Sequence, residues 1–177
     1  QIQGTLDAPV VMTAIDDQWG GIVLSGTFKD NFIDHANISK IRSPSPYLGG
    51  ISVLRSNLHI SNSMIEDIYS EDGINVSHGR LVLHASTIQN AASDCIDSDF
   101  SFGIIERNHI RQCGGDAIDM NHSFFNINFN ILNENNDKGL SCGEKSVCKA
   151  QSNLFNANAT AIAAKDSAYL ISNRNRY

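Results

Sequence analysis

The chain has 177 residues, of which 18% are charged, and its net charge is −6. An acidic chain without a basic stripe is a poor partner for nucleic acid, so no nucleic-acid partner is expected. No apolar run reaches the roughly 18 residues of a membrane-spanning helix, so no membrane span is expected. The length and the uniform composition predict a single domain over residues 1–177.

The N-terminal part is the least regular. Residues 1–17 are interpreted as part of a first coil, with four candidate core residues: Ile2, Leu6, Val10 and Met12. A strand is predicted over residues 19–24. The 29 residues from Ile22 to Ile51 exceed the period of about 22 found later in the chain. The surplus falls at residues 42–47, whose two prolines cannot donate to a β-ladder, so this segment is predicted to bulge out as a loop.

From Ile51 onward the sequence repeats. Aliphatic anchor residues recur with spacings of 23, 22, 22, 22 and 22: Ile51, Ile74, Ile96, Ile118, Leu140 and Ile162. A fixed period in the twenties is typical of a solenoid, in which each repeat buries its apolar face by stacking on its neighbours.

Each repeat contains three short apolar runs with strand periodicity. The second run follows the anchor by seven to nine residues, as at Leu58 and Ile60, and the third by fourteen, as at Ile65. The predicted fold is therefore all-β: a right-handed, single-stranded parallel β-helix of roughly seven to eight coils, with about 22 residues and three strands per coil. Each strand should pair with its counterpart in the next coil, about 4.8 Å away.

Neither end carries an amphipathic helix that would cover the open stack of coils. Because solenoids protect their exposed strand edges, the chain is expected to be a fragment of a longer protein. Further coils or a capping domain are the expected partners at its ends.

The four cysteines allow three pairings. Cys142 and Cys148 lie six residues apart, so a local disulfide is feasible. Stacking of coils also has the potential to bring Cys95 and Cys113 together. The alternative is that some of the cysteines are reduced core residues.

Alternation along the anchor strands predicts three outward columns of side chains, which together we call the acidic face. The central column, one residue after each anchor, is Ser52, Asn75, Asp97, Asp119, Ser141 and Ala163. The distal column, three residues after the anchors, is Ser77, Asp99, Asn121, Gly143 and Lys165. The proximal column, two residues before the anchors, is Asp72, Asp94, Asp116, Lys138 and Thr160.

Carboxylates about 5 Å apart in adjacent coils repel by about 3 kcal/mol at an effective dielectric constant near 20. A bound cation, a raised pKa or solvation would relieve this repulsion, and oxygen ligands at this density suit Ca²⁺. The proximal carboxylates have another explanation, because Asp in a turn bonds nearby backbone N–H groups. For Asp97, Asp99 and Asp119, which lie within strands, a functional site and a solvated acidic surface both stay open.

Other polar residues flank this face. His78 and His122 each lie four residues after an anchor. Three roles are open for each of them: a general base, a group that hydrogen-bonds substrate, or an ordinary turn histidine. Lys138 is expected to pair with Asp116. A structural ladder is predicted twelve residues after the anchors, at Ser63, Ser86, Asn108, Asn130 and Ser152.

Residues 72–75, 93–97 and 115–119 make the chain similar to the pectin-lyase-like superfamily, over residues 21 to about 172. In the superfamily's enzymes, a groove along the first sheet commonly binds an extended polysaccharide, often with carboxylates as acids, bases or Ca²⁺ ligands. On the acidic face itself, Asp97, Asp119 and His122 are the candidate catalytic residues. Ca²⁺ is the candidate cofactor, on Asp97, Asp99 and Asp119. The candidate substrate-binding residues are Asn75, His78, Asp99, Asn121 and Lys138.

Two functions follow as expectations. One is an extracellular, periplasmic or cell-surface domain that binds or processes an acidic polysaccharide, as a lyase, epimerase or glycoside hydrolase. The other is a non-catalytic structural or adhesin-type solenoid within a larger surface protein. The paired Asp of the second polygalacturonase motif, a Gly-His-Gly motif and an Arg-x-Lys motif are missing from the sequence. No aromatic platform is predicted beside the acidic face, where Phe100 and Phe124 are the nearest exposed aromatic candidates.

Overall fold

The computed structural model describes residues 1–27 and 29–177, and within them the chain winds into a parallel β-helix. These residues contain 22 strands in three parallel sheets, and each coil contributes one strand to each sheet in the same order. Each strand therefore pairs with the third strand before it and the third after it, except for the strands at the two ends of each sheet, which have one partner. The predicted fold class, with about seven coils and three strands per coil, is confirmed.

The strands have the following bounds. The anchor sheet contains β3 (Ile22–Ser25), β6 (Gly49–Leu54), β9 (Asp72–Ser77), β12 (Ile96–Asp99), β15 (Ile118–Asn121), β18 (Lys138–Gly143) and β21 (Thr160–Ala164). The second sheet contains β1 (Ile2–Gln3), β4 (Asn31–Asp34), β7 (Asn57–Ser61), β10 (Arg80–His84), β13 (Phe102–Glu106), β16 (Phe124–Asn128), β19 (Val147–Gln151) and β22 (Tyr169–Asn173). The third sheet contains β2 (Val10–Met12), β5 (Ala36–Ile41), β8 (Met64–Ile68), β11 (Thr87–Ala91), β14 (His109–Arg111), β17 (Ile131–Asn133) and β20 (Leu154–Asn156).

The core follows from the stacking of the anchors. Ile51 pairs with Ile74, which pairs with Ile96 and so on along the sheet, so residues one period apart are neighbours in space. The five anchors from Ile51 to Leu140 are fully buried. Burial of each such side chain stabilises the fold by about 1.5–3 kcal/mol. The anchors at the two ends, Ile22 and Ile162, are only partly buried because one side of each has no covering coil among the described residues.

The first coil is looser than predicted. Ile2, Val10 and Met12 are partly buried against the core, as expected. The prediction for Leu6 is wrong, because its side chain is 83% exposed. Leu6 lies in a turn closed by reciprocal backbone hydrogen bonds between Thr5 and Ala8, and this turn directs it away from the core.

The proline-containing segment forms the predicted loop between β5 and β6. Ser43 ties its start to the stack, because its N–H donates to Ser70 Oγ at 2.7 Å and its hydroxyl donates to the carbonyl of Gly49 at 2.7 Å. The loop carries Tyr47 and Leu48 to one end of the anchor sheet, where they line a cleft beside Ser52.

Each corner of the coil is turned by a residue in the left-handed region, and apart from Gly26 at the first corner these residues are not glycine. The first corner, between the anchor and second sheets, has Arg55, His78, Phe100, His122 and Glu144 at φ of 46–55°. The second corner, between the second and third sheets, has His35, Asn62, Ala85, Arg107, Phe129, Ser152 and Arg174. The third corner has Lys40, Asp67, Asn90, Gln112, Glu134 and Ala157. Such φ values are uncommon outside glycine and are held here by the flanking strands.

Polar ladders run beside the corners. Asn130 Oδ1 accepts from the backbone N–H of Asn108 at 2.9 Å, and Asn130 Nδ2 donates to the carbonyl of Ile105 at 2.8 Å. The same pattern continues to Asn153 rather than to the predicted Ser152. The prediction shifts by one residue because Glu144 and Lys145 both adopt positive φ, which adds one residue to the first corner of that coil.

Both feasible disulfides form. Cys95 and Cys113, with Cα atoms 5.4 Å apart, close one coil from its first strand to its third corner. Cys142 and Cys148, with Cα atoms 6.2 Å apart, bridge the first corner of a later coil. All four cysteines are buried and none is free within the described part of the chain. Their alternative interpretation as reduced core residues is therefore wrong.

Candidate functional site

The acidic face exists as an outward surface of the anchor sheet. Asp97 is paired with Asn75 on one side and with Asp119 on the other, and Asp119 is paired in turn with Ser141. Adjacent members of this central column are thus about 4.8 Å apart along the stack. Asp97 and Asp119 are half-buried and lie on the face opposite the buried anchors. Their functional roles stay predictions.

The proximal column contributes mainly to the fold. Asp94 Oδ1 accepts the backbone N–H of Asp116 at 2.6 Å, and Asp116 Oδ1 accepts the backbone N–H of Lys138 at 2.7 Å. Lys138 Nζ also lies 3.3 Å from Asp116 Oδ1, which confirms the predicted ion pair. These carboxylates join successive coils at the start of the anchor strands. Lys138 is therefore engaged at one edge of the face, away from the distal column.

Asp72 is the proximal residue with the least compensation. It is 4% exposed, and its one side-chain hydrogen bond in the described residues comes from Asn75 Nδ2 at 3.2 Å. Burial, followed by the charges of Asp97 and Asp94, raises the pKa of Asp72 to about 8. Asp72 therefore carries a proton through most of the neutral range.

Asp97 shares the amide of Asn75. Asn75 Nδ2 donates to Asp97 Oδ2 at 2.8 Å, so this amide bridges Asp72 and Asp97. Burial, followed by the charges of Asp99 and Asp119, raises the pKa of Asp97 to about 7. A carboxyl group with a pKa near neutrality can both give and take a proton under ordinary conditions.

Three atoms of the central column lack hydrogen bonds. Asp97 Oδ1, Asp119 Oδ1 and Ser141 Oγ are buried and have no hydrogen-bond partner in the part of the chain that the structure describes. Each unsatisfied buried polar atom costs about 1–3 kcal/mol, so native structures rarely retain it without a water, an ion or a ligand. All three belong to successive coils, so they form one row.

The residues fit Ca²⁺ only in part. Within residues 1–27 and 29–177, no group of three or more His, Cys, Asp or Glu side chains is arranged to hold a metal ion. The two unpartnered oxygens of Asp97 and Asp119 are fewer than the six to eight ligands that Ca²⁺ takes. The Ca²⁺ site predicted on Asp97, Asp99 and Asp119 stays a prediction.

The distal column lies between this row and the first corner. Burial, followed by the charges of Glu144 and Asp119, raises the pKa of Asp99, while His122 and His78 act in the opposite direction. Asn121 Nδ2 donates weakly to Asp119 Oδ2 at 3.4 Å. Both histidines are therefore close enough to Asp99 to influence its charge.

An aromatic stack borders the face at the first corner. The ring of Phe100 stacks on His78 at a centroid distance of 5.0 Å and on His122 at 4.6 Å. Phe100 is 53% exposed, and His122 Nδ1 lies 3.4 Å from Glu144 Oε2. The spacing of 22 residues between these positions is visible in the sequence, but the corner that aligns them was not identified from it.

The proline loop closes one end of the face. Tyr47 and Leu48 form one wall of a cleft of about 200 Å³ whose floor includes Asn75 and Asp99. Of the predicted substrate-binding residues, Asn75 and Asp99 therefore share a cleft. Asn121 continues the distal column away from this cleft.

Similarity to individual known proteins is weak in both sequence and structure. No curated protein matches the chain. The crystal structure of alginate lyase from Paenibacillus sp. str. FPU-7 is similar at 14% sequence identity, over 98% of this chain and 86% of that chain, with a TM-score of 0.29. A likeness at this level carries no argument about function. In the described residues, no helix is long and apolar enough to cross a membrane.

The family comparison covers most of the chain. The family model described as the right-handed beta helix region matches residues 11–155. This range includes the acidic face from Ser52 to Ser141 and all four cysteines. The chain belongs to the right-handed β-helix family.

Proposed function

We propose that the acidic face binds an extended polysaccharide, with Asp97 and Asp119 at the centre of the contact. The observation that carries this proposal is the pair of half-buried carboxylates one coil apart, Asp97 and Asp119, each with one oxygen that has no hydrogen-bond partner in the described residues. Sugar hydroxyl groups are hydrogen-bond donors repeated along a chain, and the partly exposed carboxylates of Asp97 and Asp119 offer acceptors one coil apart to such a ligand.

The borders of the face suit the same ligand. The ring of Phe100 is stacked between His78 and His122, so the three rings together present a row of ring edges beside the polar row. A sugar ring has apolar C–H faces and polar edges, and aromatic side chains with polar neighbours suit such amphipathic ligands. The cleft beneath Tyr47 would hold the part of the polysaccharide that lies nearest the proline loop.

Proton transfer is the chemistry that this arrangement offers. Because the pKa of Asp97 is about 7, its carboxyl group can serve as a general acid at neutral pH. Asp119, paired with Asp97 in the next coil, and His122, held 3.4 Å from Glu144, are the candidates for a second proton-transfer group. Lyases, epimerases and glycoside hydrolases all use such a pair of proton-transfer groups. Bound Ca²⁺ on Asp97, Asp99 and Asp119 would neutralise the charge that an acidic sugar meets here.

The two disulfides support an oxidising compartment for this activity. Disulfides persist in secreted, cell-surface and periplasmic proteins and are rare in the cytosol. An extracellular or periplasmic location is also where a protein would meet structural polysaccharides.

A structural role is the second candidate, favoured by the proximal column. The carboxylates of Asp94 and Asp116 accept hydrogen bonds from backbone N–H groups of the next coil, so the fold alone explains this part of the acidic surface. If the central column is only a solvated acidic surface, the protein is a rigid spacer or adhesin-type solenoid.

Binding measurements separate these candidates. The wild-type chain and the double variant Asp97→Asn/Asp119→Asn would be titrated by calorimetry with a panel of neutral and acidic polysaccharides, with and without Ca²⁺. The matched control is Asp16→Asn/Asp17→Asn, which makes the same charge change at two exposed residues of the first coil. We expect binding by the wild type and the control and a loss in the central-column variant. Equal binding by all three proteins, or by none of them, would reject the proposal. Unsaturated uronate products, followed by their absorbance, would identify a lyase.

A further inference from the structure

A groove runs along the second corner, on a surface separate from the acidic face. One depression of about 410 Å³ is lined by Arg107, His109, Phe129 and Ile131, among others. A second depression of about 400 Å³ is lined by Leu154, Arg174 and Arg176 and by the intervening corner residues. We call the two together the second-corner groove.

The two depressions share the same pair of columns. One wall is the corner column, in which Arg107, Phe129, Ser152 and Arg174 follow one another in successive coils. The other wall is the first outward column of the third sheet, where His109 pairs with Ile131 and Ile131 pairs with Leu154. The bridge from Leu154 to Arg176 continues this column by one coil. From Ala85 to Arg174 the groove spans five coils, or about 19 Å at the usual strand spacing.

The floor of the groove is rigid. It consists of the ladder of Asn108, Asn130 and Asn153, whose side chains are buried and hydrogen-bonded from coil to coil. A fixed floor keeps the flanking side chains in register, which lowers the entropy lost when an extended ligand binds.

The groove carries positive charge that the protein does not neutralise. Arg107, Arg174 and Arg176 are exposed, and none of them lies within ion-pair distance of a carboxylate in the described residues. The neighbouring acids are engaged elsewhere: Glu106 lies 3.8 Å from His84 on the second sheet, and Glu134 accepts from Gln112 on the third corner. In a chain of net charge −6, this is a local reversal of sign.

Flat apolar surfaces lie between the cations. Phe129 is 50% exposed and the guanidinium of Arg107 lies over its ring, 5.5 Å from the centroid. Ile131 and Leu154 are 43% and 39% exposed in the adjoining column. Guanidinium groups recognise carboxylate and sulfate groups by paired hydrogen bonds, while exposed rings and aliphatic side chains suit the apolar faces of sugars.

We propose that the second-corner groove binds an extended acidic polysaccharide through carboxylate or sulfate groups on its sugars. The alternation of cations and apolar surfaces along one line favours a polymer over a small anion. Sites for single-stranded nucleic acid stack successive bases on several aromatic side chains, whereas the walls of this groove continue from Phe129 to Ser152 and from Ile131 to Leu154, so a nucleic acid is disfavoured. The inference does not rest on the function proposed for the acidic face, since it uses none of that face's residues.

The test compares two double variants of the whole chain. Both remove two positive charges, and all four substituted residues have a left-handed backbone. Arg107→Gln/Arg174→Gln removes two groove cations whose φ values are 58° and 54°. Arg55→Gln/Lys145→Gln removes two first-corner cations whose φ values are 48° and 63°. The probes are polygalacturonate and heparin, with dextran as the neutral polymer, in calorimetric titrations at low and high salt. Circular dichroism verifies the fold of both variants.

We expect the wild type and the first-corner variant to bind both acidic probes and to bind dextran weakly or not at all. The groove variant should bind the acidic probes about tenfold more weakly, since two exposed charge contacts contribute about 0.7 kcal/mol each. Salt should weaken wild-type binding more than binding by the groove variant. Equal losses in both variants would indicate attraction by net charge alone and would overturn the proposal. Binding that neither variant changes, or no binding at all, would overturn it as well.

A second comparison distinguishes a sugar site from a general anion site. Phe129→Ala keeps the charges and removes the apolar platform beside Arg107. It should weaken binding of polygalacturonate severalfold and leave binding of inorganic polyphosphate unchanged. If polyphosphate binds as tightly as polygalacturonate and Phe129→Ala affects neither, the groove is not a polysaccharide site.

Discussion

Replacing Asp97 by Asn should stabilise the protein in a pH-dependent way. In the folded protein, burial and the charges of Asp99 and Asp119 raise the pKa of Asp97 from 3.8 to about 7. The folded state therefore holds this proton at pH values where the unfolded chain has lost it. Stability falls as pH rises from about 4 to about 7, because ionisation of Asp97 is harder in the folded state.

The size of the effect follows from this difference. Each pH unit between the two pKa values corresponds to 1.36 kcal/mol, so the upper limit for Asp97 is about 4 kcal/mol. Asp97 is half-buried, and solvent screening reduces the expected gain in Asp97→Asn to about 2 kcal/mol above pH 7. The hydrogen bond from Asn75 survives, since the amide oxygen of the introduced side chain accepts it as Asp97 Oδ2 does. The pKa of Asp72 should also fall, because the charge of Asp97 contributes to raising it.

Thermal unfolding followed by circular dichroism measures this effect across the pH range from about 4 to 9. For a protein of 177 residues, 2 kcal/mol corresponds to a rise in Tm of about 4–8 °C. The rise should appear at about pH 8 and vanish near pH 4, where Asp97 is protonated in the folded protein. Asp166→Asn, at an exposed corner, is the matched control and should show no such pH dependence. A loss of stability in Asp97→Asn that is equal at both pH values would refute the reasoning.

Three further changes test the packing. Asn130→Ala should destabilise the fold by about 2–4 kcal/mol in a denaturant titration, because it leaves ladder partners in both neighbouring coils unsatisfied. Gly103→Ala should destabilise it by several kcal/mol or prevent folding, because the new Cβ would overlap the carbonyl oxygen of Leu81. Cys95→Ser/Cys113→Ser should lower the stability by about 3 kcal/mol, the value expected for a closed loop of this size, and mild reduction of the wild type should lower its Tm in the same direction.

Controls for the first two changes lie outside the core. Asn126→Ala, on the outer face of the second sheet, should change stability by less than about 0.5 kcal/mol. Gly20→Ala has room for its Cβ, whose nearest neighbour is Pro44 at 3.7 Å. Equal effects of Asn126→Ala and Asn130→Ala, or a fully stable Gly103→Ala, would contradict the packing described here.

The stacking of the coils was predictable because it depends on one number, the period. Once Ile74, Ile96 and Ile118 were aligned, strand alternation placed Asp97 next to Asp119 and on the outward face. The proline loop was equally visible, since missing N–H donors exclude a ladder. These features follow from backbone geometry that every coil shares.

The corners were not predictable in the same way. Left-handed backbone at Phe100 and His122 has no sequence signal, because glycine and asparagine are the usual residues there. The aromatic stack was missed for that reason. The extra residue at Glu144 and Lys145 shifted the ladder from Ser152 to Asn153, since the Cys142–Cys148 corner has its own turn. The pairing of the cysteines was open because only the register of the coils fixes their separation.

The wider turn at Glu144 and Lys145 has a consequence for how such a protein can change. One residue was added there, and β19 still pairs with β16 in the register that its neighbours keep. An insertion confined to a bend leaves every later strand facing the same way. Coils of this kind can therefore acquire longer loops at their bends, and with them new contacts for ligands, while the strands between the bends keep their pairing.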